Sequence, residues 1–552
     1  MPNPTKGIGN RSAGPNGARA KEWSSHAGQR AARFHADDGE GSGAAVRAAL
    51  MARSSFRKIF AASAGALLLA SCTVGPDFSP PEVATPVNFK ELKGWRPARP
   101  RDGADRGAWW SVYRDPELNR LLPQVEVNNQ NVAAALAAYE QAQALIRLSQ
   151  ASLLPGVAAT YPVTRSGAGA SAGVSNGSAV SPAVSRAFAK TVFYPQGTAS
   201  WTIDVWGKIR RQIESNVAGA QADSALLSNA TLSAQAQLTI AFFNLRYQDS
   251  LKDLLDRTVK VYQETEKITQ NQYNSGTVSK ADLITAQTQV LNTQAQSIAT
   301  EVLRQQNEHA IAVLIGLPPA DLGIRRGILP PYPPAVPVGL PSSLLERRPD
   351  IASAERVVAE QNALIGVAVA AYYPSITLSA AGGFSGPNAF PFLAAYQIWS
   401  IGAAAADPLF DGGQRLAQVD SAKASHRQAV ANYRQTVLSA FQQVEDQLVA
   451  LRVHARQQKV QEKARDEAAE AVKVYLNQYR AGTVAFTTVV VAEATLLADE
   501  EAVLATRQAM FTANVTLIEA LGGGYDAASL AAETAPPLIE AVARSAPIPP
   551  TP

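Results

Sequence analysis

The sequence predicts a mainly α fold with a membrane β-barrel portion, built from a duplicated strand-strand-long helix-helix unit. Two stretches, 196–317 and 409–535, run past 120 residues without a proline, so nothing in them breaks a helical hydrogen-bond ladder. Each stretch is interrupted once by Tyr-x-x-Gly-Thr-Val, at Tyr273–Val278 and at Tyr479–Val484, 206 positions apart. Short segments such as Ser375-Ile376-Thr377-Leu378-Ser379 alternate apolar and polar residues, the period of a two-faced strand.

The duplication extends beyond the two turns. Ala144-Leu145-Ile146 and Pro155 return as Ala363-Leu364-Ile365 and Pro374 at an offset of 219, and Gly207 returns as Gly413 at 206. The first copy therefore holds 13 extra residues, which fall in the Gly/Ala/Ser tract of 166–185, a flexible loop by composition. A repeat this long is a duplication and not a solenoid. Asp115 and Pro116 are placed as N-cap and first residue of a helix, and a second helix is expected over 124–154, recurring over 349–373. The long helices, 207–274 and 413–480, would each span roughly 100 Å, with one apolar seam and one wet face.

Charge is unevenly placed. Residues 1–71 hold ten Lys/Arg and four Asp/Glu, leaving 72–552 with 40 basic and 42 acidic residues and no basic block for nucleic acid. From Met51 the chain reads as a secretory signal: Arg53, Arg57 and Lys58, an apolar core over 59–69, then small residues before Cys72. Leu69-Ala70-Ser71-Cys72 resembles a bacterial lipobox, which makes Cys72 the expected site of covalent lipid, palmitate included. Translation is expected to begin at Met51, with 1–50 outside the mature protein, 51–71 as signal and 72–106 as a Pro-rich extended leader. Cys72 is the only cysteine, which excludes disulfides within the chain and multi-cysteine metal sites.

No stretch after Cys72 reaches 18 apolar residues, so a membrane crossing by this chain is expected to use strands. Each repeat offers two, and an open four-stranded sheet leaves unpaired edges in lipid, so closure demands several copies. Tyr372, Tyr373, Tyr396 and Trp399 are candidate interfacial aromatics, with core packing an equal alternative.

Cys72-Thr73-Val74-Gly75-Pro76-Asp77-Phe78, Trp109-Trp110 with Asp115-Pro116-Glu117-Leu118, Arg347-Arg348-Pro349-Asp350-Ile351 and the paired turns together resemble the TolC-like outer-membrane factors, specifically the NodT-like lipoprotein branch serving RND efflux systems. The resemblance runs from Cys72 to about Gly524, with repeats at 107–330 and 331–524 and a Pro/Ala-rich tail over 525–552. It implies a homotrimer: a trimeric 12-stranded β-barrel in the outer membrane, continuous with a periplasmic α-helical barrel. It further implies a periplasmic adaptor protein and an inner-membrane RND pump as partners, no cofactor beyond lipid, no metal, no nucleic acid and no enzyme activity. The implied cargo is drugs or other small molecules.

In that family the two turns form the periplasmic tip, where adaptor hairpins dock and the channel constricts. Here they are Tyr273, Gly276, Thr277 and Val278, and Tyr479, Gly482, Thr483 and Val484. The candidate gate is Asp282, with Tyr479 expected to hydrogen-bond it across the repeats and Thr488 as its repeat mate. Three copies of Asp282 around an axis would repel one another and favour cations. The alternatives are the exit duct of a type I protein-secretion system, a coiled-coil scaffold without a pore, and an enzyme using Ser175 in Gly173–Gly177. The elbow pattern needs a strand before its serine and a helix after it, which low-complexity sequence does not supply.

Overall fold

The computed structural model describes residues 73–83, 85–86, 88–92, 108–167, 190–336, 347–388 and 396–524. Cys72, the signal segment, the tract around Ser175 and the C-terminal tail lie outside them. Seven helices are described: α1 (Pro116–Asn128), α2 (Gln130–Ala151), α3 (Lys208–Asn274), α4 (Lys280–Leu314), α5 (Pro349–Ala370), α6 (Gln414–Arg480) and α7 (Phe486–Ala520). The duplication is metrical as well as sequential. The helices α2 and α5 are both 22 residues long, α3 and α6 both 67, and α4 and α7 both 35.

Asp115 caps α1 as the sequence implies, its Oδ1 accepting from the amides of Glu117 (2.9 Å) and Leu118 (3.1 Å). The second helix differs from expectation. The first helix passes through Pro123 and ends at Asn128, and α2 starts at Gln130 instead of 124. Asn129 makes the break: its Oδ1 caps the amides of Asn131 and Val132 while its Nδ2 donates to the Leu314 carbonyl at 2.8 Å.

The strands are β1 (Gly156–Thr160), β2 (Val163–Ser166), β3 (Lys190–Phe193), β4 (Gln196–Ile203), β5 (Ser375–Ser385) and β6 (Tyr396–Ala406). The pairings β1·β4 and β2·β3 share one antiparallel register, so they are the lower and upper parts of two strands. The interruption falls at Pro162 and Pro195, which have no amide proton to donate to a ladder. The result is a four-stranded antiparallel sheet in the order β1-β4-β5-β6, two strands per repeat.

The main core lies where α1 and Trp109–Trp110 meet the middle of α3, around Leu118, Leu121, Phe242, Phe243, Ile311 and Phe511. Trp109 Nε1 donates to Gln235 there at 3.0 Å. The leader is pinned along the helices. The amide of Val74 donates to the Trp206 carbonyl, Arg211 binds the carbonyls of Val74 and Gly75 and the Asp77 carboxylate, and Phe89 enters a second core on α6 and α7. No helix among the described residues is long and apolar enough to cross a membrane.

Candidate functional site

The strand registers sort the sheet's side chains onto two faces, because successive residues point to opposite sides. Val157, Ala199, Trp201, Ile203, Ile376, Leu378, Trp399 and Ile401 share one face. Thr160, Thr198, Ser200, Thr202, Thr377, Ser379 and Ser400 share the other. Such a sheet has an oily side and a mainly hydroxyl-lined side, on which Ile398 is an apolar exception. Trp399, 75% exposed, stands on the oily face, whereas Tyr396 falls opposite Ser385 on the polar one. Tyr372 and Tyr373 lie at the end of α5, where Tyr373 stacks on Trp206 at 4.9 Å between ring centroids and the Arg415 guanidinium sits over Tyr372.

At the far end of the long helices the two turns are near copies. Gly276 and Gly482 take φ of 75° and 74°. In each turn the glycine amide donates to the tyrosine carbonyl at 2.9 Å and the next threonine amide to Gln272 or Gln478 at 2.9 Å, the double closure of a Schellman end. The Thr277 and Thr483 hydroxyls donate to those same glutamine carbonyls. Tyr273, Gly276 and Thr277, like Gly482 and Thr483, are exposed, and Val278 and Val484 are half-buried.

The copies then part. Tyr479 is buried against Phe486 and Val489, while Tyr273 is exposed. The expected hydrogen bond from Tyr479 to Asp282 is not made; the phenol pairs with Thr269 Oγ1 at 3.3 Å. Burial raises the Tyr479 phenol, the Thr269 bond opposes this, and the charge of Asp282 adds to the rise. Asp282 is occupied in a capping box: its Oδ2 accepts from the Ser279 amide (3.1 Å) and hydroxyl (2.8 Å), and Ser279 Oγ accepts from the Asp282 amide. At the repeat-mate positions stand Ala485 and Thr488, so cap and carboxylate are lost together. Thr488 lines a groove between α6 and α7 with Ala468, Ala471, Tyr475, Val491 and Thr495.

Sequence reasoning missed one group at this end, Glu493, which is buried on α7 and accepts from Thr265 of α3 at 3.0 Å. Nothing in Val-Ala-Glu-Ala-Thr distinguishes it from a solvent-facing glutamate.

The geometry is shared with known proteins. The toluene efflux pump outer membrane protein TtgC of Pseudomonas putida is 27% identical over 464 residues, covering 83% of this chain and 94% of that protein. The pyoverdine export outer membrane protein OpmQ of Pseudomonas aeruginosa is 30% identical over 471 residues, covering 83% and 95%. The outer-membrane channel OprN superposes with a TM-score of 0.74 at 26% identity, over 82% of this chain and 99% of that one. The fold is thus that of the TolC-like outer-membrane channels. The sequence pattern of the outer membrane efflux proteins matches residues 121–317 and 340–523, one match per repeat, and the chain belongs to that family.

Proposed function

We propose that three copies of this chain form a passive efflux duct, a 12-stranded barrel in the outer membrane continuous with a helical barrel in the periplasm. The observation that carries the reading is the two-faced sheet with two unpaired edges, β1 and β6. Unpaired backbone groups are too costly in lipid, so β6 of one copy pairs with β1 of the next. The oily face then meets lipid and the Ser/Thr face lines the pore.

The helices support the same closure. Exposed Ile284, Leu291 and Ile298 recur every seven residues on α4, and exposed Val453 and Val460, with Val474 two heptads further on, form a row on α6. Measured from the tip glycines, Ile284 and Val474 both stand eight residues away, and Ile298 and Val460 both twenty-two. Their repeat mates support this reading: Val490 and Ile268, the mates of Ile284 and Val474, pack into one small core inside the chain. By that repeat symmetry, α4 of one copy lies along α6 of the next.

In this reading cargo comes from an inner-membrane RND pump through a periplasmic adaptor. Relatives named for toluene efflux and pyoverdine export support small molecules as the cargo class. The adaptor docks on the tip, at Tyr273 to Val278, Tyr479 to Val484 and the small-residue groove beside Thr488. Asp282, Tyr479 and Thr488 border the constriction. A lipid on Cys72 fits the leader's path, since Thr73 lies against Gly207 at the junction of strand and long helix.

The test is a cysteine pair. Ile298→Cys with Val460→Cys, oxidised in membranes, is expected to give covalent trimers on a non-reducing gel, with neither single variant doing so. The purified protein is expected to pass ohmic current across a planar bilayer. Monomers only, or no current, would overturn the duct.

A further inference from the structure

Glu493 is 3% exposed, and its one side-chain hydrogen bond among the described residues is the 3.0 Å contact donated by Thr265 Oγ1. That bond ties α7 to α3, the contact between the two helical hairpins of one chain. Both residues stand at the same level, Glu493 eleven residues past Gly482 and Thr265 eleven before Gly276, about 16 Å behind the tip at 1.5 Å per residue. Their repeat mates are Gln287, exposed, and Ala471, half-buried, so the device exists in one copy only.

From α3 the groups facing Glu493 are Thr265 and the titratable Tyr262. No cation of α3, α4, α6 or α7 is paired with it among the described residues. Further along α7, burial also raises the carboxyls of Glu500 and Glu501, with Arg257 and Arg465 opposing the rise at Glu500. An ionised carboxylate needs several donors to be held in a dry helix seam, and Glu493 has one. Its neutral form fits the seam.

We propose that Glu493 and Thr265 form a proton-operated catch that holds α7 against α3 behind the tip and lets the hairpins part when the carboxylate ionises. The proposal rests on the duct reading for its consequence, a channel that loosens as pH rises. Burial pushes the Glu493 carboxyl up to about 7, against an ordinary value of 4.5 that it regains once the seam opens to water. The sign follows from linkage. Below the ordinary value both states are protonated and the catch is fully in place; as pH rises from about 5 to 7 the open state loses its proton first, and the opening constant climbs roughly tenfold per pH unit. Above about 7 both states are ionised and the constant levels off.

Two measurements on the full-length protein test this. In planar bilayers the wild type is expected to raise its open probability across pH 5 to 7, and Glu493→Gln, which keeps the acceptor and cannot ionise, to stay near the acid level throughout. Thr265→Val removes the tie from α3 and the bond that opposes the rise at Glu493, so the open probability should already be higher at acid pH and should level off at higher pH than in the wild type. The second readout needs no conduction: Ala286→Cys, buried beside Tyr479, Phe486 and Val489, is labelled with a thiol reagent and normalised to exposed Thr288→Cys. Labelling should rise over the same pH window, and only while Glu493 is present. If no current flows but the Glu493-dependent labelling persists, the duct reading falls and the catch stands. If labelling does not change with pH, or keeps the same profile in Glu493→Gln, the catch is refuted.

Discussion

Replacing Arg304 by Met should detach the segment that joins the two repeats. Arg304 on α4 is buried and donates to Asp249 Oδ1 (2.8 Å), Glu308 Oε2 (2.8 Å) and the Ile324 carbonyl (2.7 Å). The two carboxylates reach the same segment from their other oxygens, Glu308 accepting from the Ile324 amide and Asp249 from the Gly327 amide. Removing the cation leaves two buried carboxylates uncompensated, a loss of about 3–5 kcal/mol. Arg246, 3.7 Å from Asp249, compensates in part, which puts the expected loss near the lower end, about 3 kcal/mol. The triple variant Arg304→Met/Asp249→Asn/Glu308→Gln removes these three charges and keeps both acceptors for the backbone amides, but leaves buried Arg246 without its Asp249 partner. It should recover part of the loss, the remainder being the cost of the Arg246 guanidinium, which among the described residues keeps only its hydrogen bond to the Arg325 carbonyl. The assay is urea unfolding of the detergent-solubilised protein by far-UV circular dichroism, with proteolysis of 318–336 as the local readout. A single variant within about 1 kcal/mol of wild type refutes the clamp; a triple as unstable as the single refutes buried charge as the source of the cost.

Other substitutions separate the remaining arguments. Leu378→Arg, on the oily face, should cost about 2–4 kcal/mol near the bilayer midplane and deplete the protein from the outer-membrane fraction, whereas adjacent Ser379→Arg should insert normally and lower single-channel conductance; equal depletion by both would contradict the assignment of faces. A Cβ added at Gly276 or Gly482 meets nothing within 4 Å, so Gly276→Ala and Gly482→Ala should each cost only left-handed backbone strain, about 1–2 kcal/mol, equally and additively in urea unfolding. A larger loss at one of them would show packing at that turn.

The long helices were legible because their signals are local: absence of proline, a repeated turn, and matched spacing on either side. The sheet was legible in kind but not in extent. Alternation over 375–379 marked a strand that runs to Ser385, since Ala380, Ala381, Gly382 and Gly383 carry no contrast between faces and are held by pairing with β4 and β6. The boundary at Asn129 was illegible for a tertiary reason: the Leu314 carbonyl that fixes its side chain is 185 residues away. At the tip, Ser279 and Asp282 form a capping box at the start of a helix, and acid near a glycine turn reads equally as gate or cap. Glu493 carried no signal at all, because burial of one glutamate in a polar helix depends on which neighbour covers it.

These differences between the copies bear on how a symmetric tube comes to have a weak point. The repeats match in helix length and in turn geometry, so the wall of three chains would be nearly six-fold. Besides the longer strand loop of the first copy, departures stand within about four helical turns of the tip: Ser279 and Asp282 against Ala485 and Thr488, exposed Tyr273 against buried Tyr479, and Gln287 against buried Glu493. Each places the stronger constraint differently. The cap firms the start of α4, whereas α7 begins without a side-chain cap and is held by Tyr479, Phe486 and the Glu493–Thr265 contact. A helix fastened by an uncompensated buried acid and an uncapped start is the one that yields first under strain, so movement at the tip should begin on α7 while α3 and α4 stay in place.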